Sequence, residues 1–134
     1  MNINMDKLQE AALQAASTAY APYSHFRVGA ALLAEDGTII TGCNVENRSY
    51  GLTICAERSA IVQGVSRGYR SFIALAIATP DSNDPVGPCG ACRQVLSEFM
   101  ENSSPVRFKG AGSEQVDTTI GILYPFDSLH ELAK

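Results

Sequence analysis

The chain has 134 residues, 46% of them hydrophobic, and this length and composition predict a single domain over residues 1–134. Its net charge of −4 and pI near 5.0 argue against a nucleic-acid partner, because binding to a phosphate backbone relies on clustered Lys and Arg. The sequence contains neither the run of about 18 apolar residues that would span a bilayer nor, over residues 1–8, a signal-peptide core. We therefore expect a cytoplasmic protein with reduced thiols and no membrane partner.

The first third of the chain predicts one helix and two strands. Residues 5–19 carry apolar side chains at helical spacing, and a Pro-containing turn at 20–23 is expected to end that helix. Two β-rich runs, 28–33 and 38–42, flank an Asp-Gly pair at 36–37, which is a strong hairpin signal. We expect an amphipathic helix followed by two antiparallel strands.

The rest of the chain predicts helices and strands in alternation. After a loop over 43–53 we expect a helix over 55–66, a strand over 72–79, a helix over 90–100 and a fourth strand over 105–109. The 72–79 run is almost continuously apolar, which suits a strand buried on both faces. This order predicts right-handed crossovers and a mixed sheet with helices packed on it, an α/β sandwich.

Three of the four cysteines lie in two motifs that are typical of zinc ligands. Cys55 begins a Cys-x-Glu motif, and Cys89 and Cys92 form a Cys-x-x-Cys motif, each at the start of a predicted helix. The unpaired amides of a helix start carry partial positive charge, which stabilises a thiolate. Three protein ligands leave tetrahedral zinc an open position for water, as in catalytic sites. The motifs predict one zinc ion per subunit and hydrolytic chemistry.

Other uses of these cysteines stay open from the sequence. Cys43 is available as a fourth thiolate, which would close the site and make this a non-catalytic structural zinc protein. The spacing of Cys43 and Cys55, however, is unlike the paired short motifs of such sites. A redox role for Cys89 and Cys92 alone would leave Cys55 and Glu57 unexplained.

Four segments, 23–31, 44–47, 53–58 and 88–94, resemble the small homotetrameric zinc-dependent cytidine deaminases of the cytidine/deoxycytidylate deaminase superfamily. The resemblance implies a three-layer α/β/α sandwich with a mixed five-stranded sheet. It also implies hydrolysis of cytidine and deoxycytidine to uridine and deoxyuridine, with release of ammonia, in pyrimidine salvage. In that chemistry Glu57 is the catalytic residue and moves protons between a zinc-activated water and the cytosine ring.

The same resemblance implies the contacts made by other residues. The ring of Phe26 would pack against the pyrimidine, and the backbone of Ala56 would hydrogen-bond the base edge. Asn44 and Glu46, two residues apart in an extended segment, point the same way and would bind the ribose hydroxyls. Arg58 would hydrogen-bond a ligand sulfur.

Each of these residues also has an ordinary structural interpretation that the sequence leaves open. Phe26 could be a core aromatic and Arg58 a surface side chain. Asn44 and Glu46 could belong to a polar turn. Glu57 could be a solvated helical glutamate, although its spacing from Cys55 weakens that interpretation.

The deaminases that the chain resembles complete each active site with residues from adjacent subunits, and Tyr50 matches one of those residues. The resemblance thus implies a homotetramer with shared active sites. Two departures bear on substrate range: Arg48 stands where many relatives carry Ala, and Phe126 directly follows Pro125 in a shortened carboxyl-terminal segment. The alternative functions are deamination of another aminopyrimidine, such as blasticidin S or a modified cytidine, and editing of RNA or DNA.

Overall fold

A five-stranded sheet with helices on both faces is the frame of the computed structural model, which describes residues 2–129 and 132. The elements in chain order are α1 (Met5–Ala16), β1 (Gly29–Ala34), β2 (Ile39–Cys43), a 3₁₀ turn (Tyr50–Leu52), α2 (Ala56–Ser66), β3 (Phe72–Thr79), α3 (Gly90–Phe99), β4 (Pro105–Gly110), β5 (Gln115–Thr119) and α4 (Ile120–Leu123). Within the described part of the chain, no helix has the length and apolarity needed to cross a membrane.

The strands are arranged in the order β2-β1-β3-β4-β5, with β3 and β4 parallel and the other neighbours antiparallel. The β3–β4 pair is parallel because α3 carries the chain back across the sheet between them. Leu8 and Ala12 of α1 pack on one face of the sheet, and Ala60 of α2 and Leu96 of α3 pack on the other. The predicted three-layer α/β/α sandwich with a mixed five-stranded sheet is confirmed.

Two glycines let the helices lie directly on the sheet. A Cβ atom at Gly29 of β1 would stand 1.9 Å from the carbonyl oxygen of Ala12, and one at Gly42 of β2 would stand 2.4 Å from the backbone nitrogen of Ala60. Both neighbours are backbone atoms of a helix, so a side chain there would push α1 or α2 off the sheet. The position of α2 on the sheet therefore depends on Gly42.

The first helix ends at Ala16, so the predicted end at residue 19 is wrong. Ser17 and Thr18 donate both their backbone N–H groups and their hydroxyls to carbonyl oxygens three residues back, which tightens and closes the last turn. The chain then turns, and Tyr20 forms a parallel bridge with Val45 beyond β2. The prediction ran too far because alanines keep helical spacing beyond Ala16, whereas the hydroxyl side chains of Ser17 and Thr18 end the helix there.

Hydrophobic spacing located four strands and missed β5. The side chains of Gln115, Val116 and Asp117 are exposed, because β5 is the edge strand next to β4. An edge strand that faces solvent has no apolar period to detect. The predicted hairpin, in contrast, is present: β1 and β2 pair antiparallel, and Gly37 adopts a φ of 89°, which favours glycine.

Candidate active site

The sulfur atoms of Cys55, Cys89 and Cys92 converge where α2 and α3 begin. Cys55 and Cys89 are the N-cap residues of the two helices, and Cys92 lies in the first turn of α3. The three sulfurs lie within 4.8 Å of one another, with 3.8 Å between those of Cys55 and Cys89. Zinc–sulfur bonds of about 2.3 Å in a tetrahedron would place the sulfurs roughly 3.8 Å apart. The cluster therefore fits a single zinc ion.

Cys43 lies outside this cluster. It ends β2, and its sulfur accepts a hydrogen bond from the hydroxyl of Thr18 at 3.7 Å. Among residues 2–129 and 132, the group able to hold a metal ion contains three cysteines and not Cys43. The geometry thus favours a three-thiolate site with a coordination position left for water over a closed four-thiolate site.

The groups around the cluster favour a thiolate at Cys55. Hydrogen bonding from Cys92, followed by that from Arg58, lowers the pKa of Cys55 to about 5 in spite of partial burial. The Arg58 guanidinium donates to the Cys55 sulfur at 3.4 Å. The pKa of Cys92 is raised, first by its hydrogen bond to Cys55 and then by burial, so Cys92 keeps its proton until a metal ion displaces it.

Glu57 lies in the first turn of α2, beside the cysteine cluster, and only 4% of it is exposed. Burial raises the pKa of Glu57 to about 7, and the negative charge on Cys55 adds to that shift. The residue's own amide and the charge of Arg58 oppose the shift in the pKa without cancelling it. A carboxyl group with a pKa near 7 can accept and donate a proton at neutral pH, as acid–base catalysis requires.

Two other predicted contact residues lie at the start of α2 and in the turn before it. Ala56 is fully buried as the first residue of α2, so its backbone N–H has no partner within the helix. Tyr50 lies in the 3₁₀ turn and is 74% exposed, and its ring meets the edge of the Tyr23 ring at a centroid distance of 5.8 Å. The tyrosine pair thus joins the turn at 50–52 to the segment that carries Phe26.

The side chain of Asn44 is buried and hydrogen-bonds to the main chain of the segment 20–28. Its Oδ1 accepts the N–H of Val28 at 2.9 Å, and its Nδ2 donates to the carbonyl of Phe26 at 2.8 Å. The resemblance implied that the Asn44 side chain binds a sugar hydroxyl. In the structure, both its amide oxygen and its amide nitrogen hydrogen-bond to the main chain at Phe26 and Val28. This contact spans 16 to 18 residues of sequence.

Glu46 holds the same segment nearer its start. Its Oε1 accepts the N–H groups of Tyr23 and Ser24 at 3.0 and 3.1 Å, and its Oε2 accepts the Ser24 hydroxyl. The hydrogen bond from the Ser24 hydroxyl is the largest of the causes that lower the pKa of Glu46. Asn44 and Glu46 therefore both point toward the 20–28 segment.

Three further residues near the site were not found by sequence reasoning. Arg27 donates its N–H, Nε and Nη2 to the carboxylate of Asp81 at 2.8, 3.0 and 2.7 Å. Arg93 donates from Nε to the carbonyl of Pro88, immediately before Cys89, and from Nη1 to that of Leu123. A local motif signals neither contact, because Asp81 lies 54 residues from Arg27 and the partners of Arg93 are main-chain carbonyl groups.

Comparison with known proteins agrees with this site. Residues 3–106 match the family model of the cytidine and deoxycytidylate deaminase zinc-binding region. The chain is 50% identical over 123 residues to the cytidine deaminase of Sporosarcina psychrophila, covering 92% of this chain and 90% of that protein. The crystal structure of cytidine deaminase from Burkholderia pseudomallei superposes with a TM-score of 0.87 at 44% identity, covering 92% of this chain and 98% of that one.

A more distant relative has a different substrate in its name. The blasticidin-S deaminase of Bacillus cereus is 33% identical over 107 residues, covering 73% of this chain and 76% of that protein. Both kinds of relative share the deaminase chemistry, and the family model spans most of the sequence. The chain therefore belongs to the cytidine and deoxycytidylate deaminase family.

Proposed function

We propose that this protein is a zinc-dependent cytidine deaminase that converts cytidine and deoxycytidine to uridine and deoxyuridine with release of ammonia. The observation that carries the proposal is a buried carboxyl group, Glu57, with a pKa near 7, beside three convergent cysteine sulfurs. Identity of 50% to a cytidine deaminase over most of both chains supports the same reaction.

The proposed proton transfers centre on Glu57. When held by Cys55, Cys89 and Cys92, zinc supplies Lewis-acid activation of water. Glu57 takes a proton from the attacking water and delivers it to N3 of the cytosine ring. It then takes the second proton of that water and delivers it to the amino group that leaves C4 as ammonia, so that uracil forms and Glu57 is restored. Burial raises the pKa of Glu57 above its ordinary value, which favours uptake of a proton from the water.

The proposed substrate contacts lie on the side of the centre that faces residues 20–28. Phe26 packs on the pyrimidine, and the N–H group that Ala56 presents at the helix start meets the base edge. Asn44 and Glu46 bind the ribose through lone pairs that remain beside their bonds to the main chain. Arg58 offsets the charge of the thiolates through its contact with Cys55.

We also propose that residues 1–134 form one catalytic unit that assembles into a homotetramer in the cytoplasm. Large side chains support the assembly, since Tyr50, Ile122 and Phe126 are 74%, 71% and 91% exposed. Apolar side chains exposed in this way are typical of protein interfaces. Sedimentation equilibrium tests the assembly, with a mass four times 14.3 kDa expected.

Ammonia release by the purified, zinc-loaded protein tests the activity. We expect turnover of cytidine and deoxycytidine, and little or no turnover of a cytidine-containing single-stranded oligonucleotide, because the chain has a net charge of −4. Blasticidin S is the second candidate substrate, favoured by the 33% identity to a blasticidin-S deaminase. Turnover of blasticidin S without turnover of cytidine, at one zinc per chain, would overturn the first assignment.

A further inference from the structure

Phe26 is held at both of its backbone polar groups by side chains rather than by strand pairing. Its N–H donates to the hydroxyl of Ser24 at 3.0 Å, and its carbonyl accepts from Nδ2 of Asn44. His25, directly before it, has a φ of 57°, a left-handed conformation that is uncommon outside glycine. The direction of the Phe26 ring therefore depends on individual side-chain contacts.

One peptide unit is decisive, the one between Phe26 and Arg27. Asn44 donates to its carbonyl oxygen, and Asp81 accepts its N–H at 2.8 Å. A peptide unit is planar, so bonds at its two ends fix its orientation. Fixing that plane limits the rotation about the bonds on either side, and therefore limits where the Phe26 side chain can point.

Asp81 belongs to the part of the chain that leads to the metal site. It lies two residues after Thr79, the last residue of β3, at the start of the loop over 80–88 that ends at Cys89. Its carboxylate receives three bonds from Arg27, one of them from the main chain. Asp81 thus joins the segment of Phe26 to the loop that runs into a zinc ligand.

We propose that Asp81 is a positioning residue that sets the place of the pyrimidine relative to the metal site, by fixing the Phe26–Arg27 peptide against the loop before Cys89. The inference rests on the proposed function, because it takes Phe26 as the residue that packs on the pyrimidine. The bond from Arg27 lowers the pKa of Asp81 to about 2, so the carboxylate keeps its charge at working pH.

The Asp81→Ala variant should bind substrate more weakly and still do the chemistry. Phe26 contacts the ring in the bound state and in the transition state alike, and loss of such uniform binding raises KM and leaves kcat unchanged. We expect a KM for cytidine raised about tenfold, a kcat within about twofold of the parent and one zinc per chain. The Asp81→Asn variant keeps an oxygen that can accept the N–H of Arg27, so its KM should rise only about threefold.

A matched control is available on the opposite face of the sheet. Asp117 of β5 accepts from Nε of Arg107 at 2.7 Å, and Arg107 also pairs with Asp6 of α1. Asp117→Ala thus removes an aspartate–arginine pair, joined by one side-chain bond, from the α1 side, and KM and kcat should both stay within about twofold of the parent.

A double-mutant cycle separates positioning from a general loss of structure. If Asp81 acts through the Phe26 ring, Asp81→Ala should add less than about a twofold rise in KM to that of Phe26→Ala. Independent effects that multiply would overturn the proposal, as would an unchanged KM or lost zinc in both Asp81 variants. Calorimetric binding of cytidine gives the same comparison from Kd, so a parent that binds cytidine without deaminating it would contradict the proposed function and still test Asp81.

Discussion

The two sides of the candidate site are built differently. On the metal side, Cys55, Glu57, Cys89 and Cys92 all lie at an N-cap or in the first turn of α2 or α3. On the substrate side, the irregular segment 20–28 is held by side chains that lie 16 to 54 residues away in sequence. Regular backbone fixes the first side, and separate hydrogen bonds fix the second. Changes on the metal side should therefore remove chemistry, and changes on the substrate side should alter affinity and stability.

The largest effect should come from removing an exposed metal ligand. Cys89→Ala deletes one of three sulfurs, and we expect zinc affinity to fall at least about 100-fold, with deamination lost. The Cys43→Ala variant should keep one zinc per chain, because the Cys43 sulfur is hydrogen-bonded to Thr18 and lies outside the metal cluster. Atomic absorption after dialysis measures the metal content. Zinc kept without Cys89 and lost without Cys43 would contradict the three-thiolate site.

A smaller effect is predicted for the pH dependence of stability in the metal-free protein. Folding raises the pKa of Glu57 from 4.5 to about 7, so the folded state holds a proton that the unfolded state releases between those values. The contribution of Glu57 to the free energy of unfolding, given by the difference between the parent and Glu57→Gln, should therefore fall as pH rises from 4.5 to 7 and stay level outside that range. The expected fall is about 3 kcal/mol.

Glu57→Gln removes this titration, and Glu98→Gln, an exposed change on α3, should not. Urea unfolding of the metal-free parent and both variants, at pH 5 and pH 8 and one protein concentration, provides the comparison. An equal change in the free energy of unfolding between pH 5 and pH 8 for the parent and Glu57→Gln would show that burial does not shift the pKa of Glu57.

Loss of Asn44 should cost stability on the substrate side. Asn44→Ala leaves the carbonyl of Phe26 and the N–H of Val28 without their partners, which should lower the free energy of unfolding by about 1–3 kcal/mol. Asn47→Ala is the control, because Asn47 Oδ1 accepts an exposed local bond from Ser49, and its effect should stay within about 0.5 kcal/mol. Equal urea midpoints for the two variants would argue that the 20–28 segment does not need Asn44.

The smallest effect should come from the side chain of Arg27. Arg27→Ala removes two exposed bonds to Asp81 and keeps the backbone N–H that Asp81 also accepts. We expect the KM for cytidine to stay within about twofold of the parent, well below the change in Asp81→Ala. If steady-state kinetics show the same rise in KM for both variants, the ion pair holds the segment, and the hydrogen bond from the backbone N–H of Arg27 does not.

The metal side could be predicted from the sequence more completely than the substrate side. Cys55 and Glu57, or Cys89 and Cys92, are two and three residues apart, so a short motif contains each pair, and β3 lies at 72–79 as its apolar run predicted. The hydrogen bonds that Asn44 donates and that Glu46 and Asp81 accept leave no such pattern, because their partners are backbone groups in a distant loop. The exposed edge strand β5 likewise carries no apolar period.

Cytidine deamination by zinc-loaded Glu57→Gln, beside zinc-loaded Glu98→Gln, tests most directly whether the helix-borne centre carries the chemistry. General acid–base catalysis contributes about 10²- to 10⁴-fold, and Glu57 serves in two transfers, so we predict a fall in kcat of at least about 10³-fold with zinc retained at one per chain. Glu98→Gln should keep the parent's kcat. A zinc-replete Glu57→Gln enzyme with kcat within tenfold of the parent would contradict the account.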